Sequence, residues 1–155
     1  MNKNLKVKDV MTAGVVVAEK SNNLMQVMEF FTRNNIHHLP VGDKLNISGI
    51  ISLKDVVRFM NEHLKKGETI SSAALNNEFS LEDVMTKNPT TIDAEASIDD
   101  ALKILATSKF QAIPVLQDGK ICGIVTNKDM VRAYTKERNP PASGNFSSSS
   151  AGFGV

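Results

Sequence analysis

The sequence has few of the features that mark secreted, membrane or nucleic-acid-binding proteins. Its single cysteine, Cys122, excludes a disulfide scaffold within the chain and predicts a reducing compartment, the cytoplasm. No apolar run approaches the roughly 18 residues of a membrane span, and the first residues lack the apolar core of a signal peptide. The 18 basic and 17 acidic residues nearly balance, which argues against nucleic acid or an acidic membrane as a partner.

Patterns typical of enzymes and metal sites are also missing. There is no C-x-x-C pair, no phosphate-binding loop ending in Gly-Lys-Ser/Thr and no Gly-x-Gly-x-x-Gly. His37 and His38 are adjacent, so on a strand they point to opposite faces and cannot bind one metal together. His63 falls late in a predicted helix and is expected at the surface. We therefore predict a protein that is not an enzyme and has no metal site and no resident cofactor.

The sequence does contain a tandem duplication. Three segments recur at one offset of 74 residues (83 − 9): 9–12 as 83–86, 39–41 as 113–115, and 49–58 as 123–132. The first pair is identical (Asp-Val-Met-Thr), and six of the ten positions in the last pair are identical. A single offset without insertions indicates that one structural unit occurs twice.

Apolar runs and capping signals predict the elements of each repeat. In the first repeat we expect a lead-in helix at 5–11, strands at 15–17, 38–41 and 47–51, and helices at 21–34 (capped by Ser21) and 52–64. The polar connector 65–77 has possible helical content near 71–75. In the second we expect a lead-in helix from Ser80, strands at 90–92, 112–116 and 121–125, and helices at 97–108 and 126–138. Because the strand runs are continuously apolar, each sheet should be covered on both faces, by its helices and by the other repeat.

The end of the third strand has the strongest local pattern. Ser52 and Asp55, and again Thr126 and Asp129, form a Ser/Thr-x-x-Asp capping signature at the start of a helix. A helix N-terminus favours anions such as phosphate. Capping alone would explain one such pair, but capping accepts many other residue pairs, so two copies favour a function beyond it.

These motifs, in this order and in two copies, resemble a tandem pair of CBS domains (the cystathionine β-synthase domain family), often called a Bateman module. The resemblance extends over residues 7–138. It implies an α/β (α+β) fold of two β-α-β-β-α repeats related by pseudo-two-fold symmetry. We expect repeat 1 with its lead-in helix at 1–66, a linker at 67–79, repeat 2 at 80–138, and a flexible Ser/Gly/Pro-rich tail at 139–155.

The resemblance also implies a regulatory module that binds an adenosine-containing ligand (AMP, ADP, ATP or S-adenosylmethionine) in two clefts between the repeats. One cleft takes Ile50, Ser52 and Asp55 with Pro89, Thr90, Phe110 and Gln111. The other takes Ile124, Thr126 and Asp129 with Val15, Val16, Ile36 and His37. In each cleft the aspartate would accept the ribose hydroxyls, and the Ser/Thr hydroxyl would contact ribose or phosphate.

The positive charge near these clefts favours a small phosphate group. His37 and His38 begin the second strand of the first repeat, whereas Gln111 and Ala112 stand at the same places in the second. Lys54 and Lys128 are the other nearby cations. An AMP-like or neutral adenosine ligand is therefore favoured over ATP.

Two functions from different classes remain open. The first is a nucleotide sensor that acts in trans on a partner protein, because 155 residues leave no room for an effector domain unless the chain is a fragment. The second is a dimerisation scaffold with empty or vestigial clefts. The duplicated aspartates and hydroxyls favour the sensor. A homodimer is expected in either case, with segments 22–34 and 98–108 as candidate apolar surfaces.

Overall fold

The computed structural model describes residues 5–109 and 111–136, and its contacts divide them into two compact units. The Asp55 unit comprises residues 16–89, and the Asp129 unit comprises residues 5–15 together with 90–136. The predicted tail at 139–155 lies outside the described residues, as does Phe110.

The elements of the second repeat follow the predicted order, and those of the first repeat follow it apart from the strand predicted at 15–17. They are α1 (Val7–Val10), β1 (Thr12–Ala13), α2 (Leu24–Asn34), β2 (His38–Gly42), β3 (Ile47–Ser52), α3 (Leu53–Lys65), α4 (Ser72–Asn77), α5 (Leu81–Val84), β4 (Thr86–Lys87), β5 (Ile92–Asp93), α6 (Ile98–Thr107), β6 (Ala112–Gln117), β7 (Lys120–Thr126) and α7 (Asn127–Lys136). Helix α4 confirms the helical content expected in the connector. The mixed helix–strand class and the duplicated β-α-β-β-α order are thus as predicted.

Each unit is built on one sheet, and each sheet takes its short edge strand from the other repeat. In the Asp55 unit the order is β2-β3-β4, with Gly49 opposite Lys87. In the Asp129 unit the order is β1-β7-β6-β5, with Thr12 opposite Ile124. The Asp-Val-Met-Thr segment that opens one sequence repeat therefore packs within the unit of the other. The predicted repeat boundaries describe the duplication, and the compact units divide the chain elsewhere.

Each Asp-Val-Met-Thr segment, called the exchanged segment below, is fixed by its methionine, which lies over a glycine. A Cβ atom placed on Gly49 would lie 2.2 Å from Sδ of Met85, and one placed on Gly123 would lie 2.4 Å from Sδ of Met11. At Gly123 that Cβ would also lie 2.9 Å from the backbone oxygen of Thr12. The duplicated Gly and Met are therefore explained by one contact, in which only glycine lets the lead-in segment approach the central strand.

Each unit has its own apolar core, and each core includes residues of an exchanged segment. Both cores are formed mainly by aliphatic side chains from helices and central strands. The core of the Asp55 unit contains Leu24, Val27, Phe31, Leu39, Ile51, Val56, Leu81 and Val84. The core of the Asp129 unit contains Val7, Ile98, Ala101, Ile113, Val115, Val125 and Met130.

Four local expectations were wrong or incomplete. Residues 15–17 form no strand; the following residue, Ala18, makes a single bridge to Val41. Strand β5 begins at Ile92, so the predicted strand at 90–92 starts too early. The N-cap of α2 is Asn23, whose side chain accepts from the backbone N–H of Gln26, and not Ser21.

The fourth concerns His63, which is not a surface group. Its side chain is 17% exposed, and its ring packs against the rings of Phe59 and Phe79, with centroids 4.2 and 5.0 Å away. Its Nδ1 lies 2.9 Å from the backbone oxygen of Phe59. The ring therefore joins the end of α3 to the connector that follows it.

Ion pairs of opposite polarity flank the two lead-in helices. Beside α1, Lys6 and Lys8 both pair with Glu95, the latter at 2.5 Å. Beside α5 the signs are reversed, because Glu82 of the lead-in helix pairs with Lys20 at 3.3 Å. Backbone hydrogen bonds also hold α1 beside Glu95: the N–H groups of residues 7 and 8 donate to the carbonyls of residues 96 and 94, each at 2.9 Å.

The Met–Gly contacts predict unequal effects of the same substitution in the two repeats. Gly123→Ala should lower the free energy of unfolding by about 1–3 kcal/mol, because the new methyl group meets the backbone of Thr12, which cannot rotate away. Gly49→Ala should cost less, since only the flexible Met85 side chain must move. Urea denaturation of both variants measures the difference. Equal losses, or a larger loss at Gly49, would contradict this account.

The two ion pairs of Lys6 and Lys8 with Glu95 predict a contribution to stability that is lost in acid. Hydrogen bonds from Lys6 and then Lys8 lower the pKa of Glu95 from 4.5 to about 2. A depressed carboxyl pKa stabilises the fold above the unfolded value and loses that contribution as pH falls toward the folded value. The difference in melting temperature between wild type and Glu95→Gln should thus be greatest near neutral pH and shrink between pH 4.5 and 2, measured at low salt. A difference that stays constant over this range would contradict it.

Candidate functional site

The site in the Asp55 unit is formed where β3 ends and α3 begins. Oδ2 of Asp55 accepts two hydrogen bonds from Ser52, one from its backbone N–H at 2.9 Å and one from its hydroxyl at 2.6 Å. The backbone N–H of Asp55 donates back to the Ser52 hydroxyl at 3.1 Å. Oδ1 of Asp55 lies 2.9 Å from Nη2 of Arg58. The predicted capping box is therefore present, and it uses only one of the two carboxylate oxygens.

The Asp129 unit repeats this arrangement with one difference. Oδ2 of Asp129 accepts from the backbone N–H and the hydroxyl of Thr126, at 2.8 and 2.7 Å. The Asp129 side chain is only 6% exposed, compared with 14% for Asp55. Nη1 of Arg132 lies 4.0 Å from Oδ1, which is beyond hydrogen-bond distance. Oδ1 of Asp129 is therefore less engaged than Oδ1 of Asp55.

A pocket of about 110 Å³ adjoins this second carboxylate. One wall is the exchanged segment, with Val10, Met11 and Thr12. The other is helix α7, with Asp129, Arg132 and Ala133. The lead-in segment thus contributes to the surroundings of the aspartate as well as to the sheet.

The number of acceptor sites limits how the carboxylates can bind a ligand. A carboxylate has about four lone-pair positions, two on each oxygen. In both units the capping residue donates twice to Oδ2. Ribose hydroxyls would therefore bind mainly at Oδ1, not one on each oxygen.

The other predicted site residues are distributed between the two units. Ile50 and Ile124 are buried in their strands. The first predicted cleft draws Pro89 from the Asp55 unit, and Thr90 and Gln111 from the Asp129 unit. The second draws Val15 from the Asp129 unit, and Val16, Ile36 and the exposed His37 from the Asp55 unit. Both composite clefts remain predictions.

Two arginines beside the aspartates were not predicted at the site, and His38 was predicted only as positive charge near the clefts. Arg58 and Arg132 were visible as identical positions of the duplication, but their direction toward Oδ1 depends on helix geometry. His38 lies opposite Ser52 in the β2–β3 pairing, where the second repeat has Ala112 opposite Thr126. Burial lowers the pKa of His38, and His37 acts in the same direction, while the Asp55 carboxylate raises it.

Neither a metal-binding cluster nor a membrane-spanning helix occurs in the described part of the chain. Among residues 5–109 and 111–136, no group of three or more His, Cys, Asp or Glu side chains is arranged to hold a metal ion. Over the same residues, no helix has the length and apolarity needed to cross a bilayer.

Comparison with known proteins assigns the chain to a family. The family model for the CBS domain matches it twice, at residues 7–62 and 81–136. The chain belongs to the CBS domain family. CBS pairs are regulatory ligand-binding modules, and the two matches correspond to the two sequence repeats.

Individual proteins resemble this chain over most of its length. YlbB of Bacillus subtilis is 29% identical over 136 residues, which are 86% of this chain and 85% of that protein. A crystal structure of CBSX2 in complex with AMP has a TM-score of 0.70 at 27% identity and covers 86% of this chain and 98% of the other. The CBS pair of MJ0100, in complex with 5-methylthioadenosine and S-adenosyl-L-methionine, has a TM-score of 0.72 at 23% identity, with coverage of 86% and 98%. This last likeness shows the fold.

Proposed function

We propose that this chain is a cytoplasmic regulatory module, without enzymatic activity, that binds an AMP-like adenosine nucleotide and acts in trans on a partner protein. The observation that carries the proposal is the duplicated carboxylate that retains acceptor capacity at the start of a helix. Asp55 and Asp129 each use Oδ2 for the helix cap and leave lone pairs on Oδ1. Capping alone would not require an arginine beside Oδ1 in both repeats.

The chemistry of these carboxylates suits a ribose. Two adjacent hydroxyl groups can donate to the two lone pairs of one carboxylate oxygen, and bonds to a charged acceptor are stronger than those between neutral groups. Apolar strand residues such as Ile50 and Ile124 would contact the adenine. Similarity to CBSX2, which was crystallised with AMP, supports an adenosine nucleotide as the ligand class.

The cations available near the aspartates support a single phosphate. Besides Arg58 and Arg132, the exposed side chains of His37, Lys54 and Lys128 could approach one phosphate group. Triphosphate would require more clustered positive charge, so AMP is favoured over ATP, with ADP and S-adenosylmethionine as further members of the test panel. We propose the two clefts as predicted, one built on Asp55 and the other on Asp129.

Asparagine substitution tests the ribose assignment with little disturbance of the fold. Asp55→Asn and Asp129→Asn each keep one oxygen for the helix cap but replace the second acceptor with a donating NH₂ group. Loss of one charge-assisted bond, about 1.5–3 kcal/mol, should weaken AMP binding to the altered site about tenfold or more. Calorimetric titration of wild type and both variants measures this.

The 2′-deoxy form of AMP provides the matched ligand control. It should bind wild type about tenfold more weakly than AMP, because one hydroxyl donor is missing. Against the Asn variants the difference between the two ligands should be much smaller. If no adenine nucleotide binds at millimolar concentration, or if neither substitution changes affinity, the ribose assignment is wrong.

A homodimeric scaffold is the second candidate, and the exposed apolar residues favour it. Val57 on α3 and Val131 on α7 occupy the same position of the two repeats and are 50% and 63% exposed. Leu53, Leu64 and Tyr134 extend these two surfaces. Among the described residues, the large exposed apolar side chains do not lie on segments 22–34 and 98–108, where the sequence had suggested them. We therefore propose α3 and α7 as the dimer surface.

Sedimentation velocity tests this surface. Wild type should sediment as a dimer at tens of micromolar, and the double variant Val57→Lys, Val131→Lys should self-associate at least about tenfold more weakly, because lysine charges would be buried without partners. Glu62 is exposed on α3, away from the apolar residues. Glu62→Gln removes one negative charge, which raises the net charge by one unit, and should leave the dimer intact. A monomeric wild type would rule out the dimer.

A further inference from the structure

An arginine follows each site aspartate by three residues. Arg58 and Arg132 are 58% and 57% exposed at the side chain, whereas the carboxylates that they face are 14% and 6% exposed. Each guanidinium is therefore largely in solvent, and each carboxylate is largely enclosed. The two arginines occupy identical places in the duplication but make different contacts.

The difference concerns the oxygen that a ribose would use. In the Asp55 unit, Arg58 is at hydrogen-bond distance from Oδ1, 2.9 Å. In the Asp129 unit, Arg132 is 4.0 Å from Oδ1 and makes no hydrogen bond to it. Since Oδ2 is used for the cap in both units, Arg58 blocks part of the remaining acceptor capacity of Asp55, and Arg132 leaves that of Asp129 open.

We propose that Arg58 and Arg132 select for a phosphorylated ligand, and that Arg58 does so also by excluding the unphosphorylated nucleoside. This inference rests on the proposed function. When a nucleotide binds in the Asp55 site, Arg58 leaves Oδ1 and pairs with the phosphate. This frees Oδ1 for the ribose hydroxyls. A nucleoside brings no such group and must displace the arginine without compensation. In the Asp129 site, the nucleoside meets no such barrier.

The transfer is favourable on general grounds. A nucleoside that displaces Arg58 loses a charge-assisted hydrogen bond to a largely enclosed carboxylate, whereas a guanidinium that moves to a phosphate keeps a bond of this kind. A phosphate group offers more charge than a carboxylate and accepts both arms of the guanidinium. His38 is also close enough for the Asp55 carboxylate to influence its pKa, which burial lowers, so Arg58 is the permanent positive charge that contacts this carboxylate.

The test compares AMP with adenosine at one site at a time, by calorimetry at pH 7.5. In an Asp129→Asn background, Arg58→Gln should weaken AMP binding about tenfold, the effect of one lost charge-assisted bond, and should strengthen adenosine binding. In an Asp55→Asn background, Arg132→Gln should weaken AMP binding similarly and leave adenosine binding unchanged. Arg58→Lys should restore part of the AMP affinity, because it keeps the charge but not the second arm of the guanidinium.

Two controls separate ligand selection from helix stability. Lys65→Gln removes the same charge from the far end of α3 and should not alter the ratio of the two affinities. If Arg58 only stabilises the helix, Arg58→Gln would lower the melting temperature and leave that ratio unchanged, which would overturn the inference. If wild type binds neither AMP nor adenosine at millimolar concentration, the proposed function itself fails, and the inference fails with it.

Discussion

Both units depend on a methionine that lies directly over a glycine of the central strand. The contact lets Met11 approach Gly123 and Met85 approach Gly49, so that each lead-in segment becomes an edge strand of the other repeat's sheet. Larger residues at either glycine would separate the strand from its edge. The same approach brings Val10 and Thr12 beside Asp129, so the contact that completes the sheet also forms one wall of the pocket.

In the proposed function, each aspartate would serve both folding and binding. One carboxylate oxygen satisfies the backbone at the start of a helix, where N–H groups otherwise lack partners. The other oxygen faces outward toward an arginine. Because the cap holds the carboxylate in place, a ligand would meet an acceptor that needs little reorganisation. The proposed binding geometry would therefore be set by the same hydrogen bonds that begin α3 and α7.

Most of the fold could be predicted because each sequence pattern could be compared with its second copy in the duplication. The capping boxes at Ser52 and Thr126 were found this way, and Asn23 could have been, since it corresponds to Ser97 in the second repeat. The exchange of lead-in segments could not be predicted, because identical Asp-Val-Met-Thr motifs fit either glycine equally well. The roles of Arg58 and Arg132 were also missed, since their distances to Oδ1 depend on rotamers that the sequence does not encode locally.

The reversed ion pairs beside α1 and α5 have a consequence for how this chain can evolve. Lys8 contacts Glu95, a residue 87 positions away, whereas its counterpart in the other repeat is Glu82, which contacts Lys20. If α1 docked where α5 belongs, lysine would face lysine, and in the opposite exchange glutamate would face glutamate. The two repeats are thus made distinguishable by charge. If the charge on one lead-in helix changed sign, its ion pair would be lost unless the charge on the loop that it contacts changed sign as well.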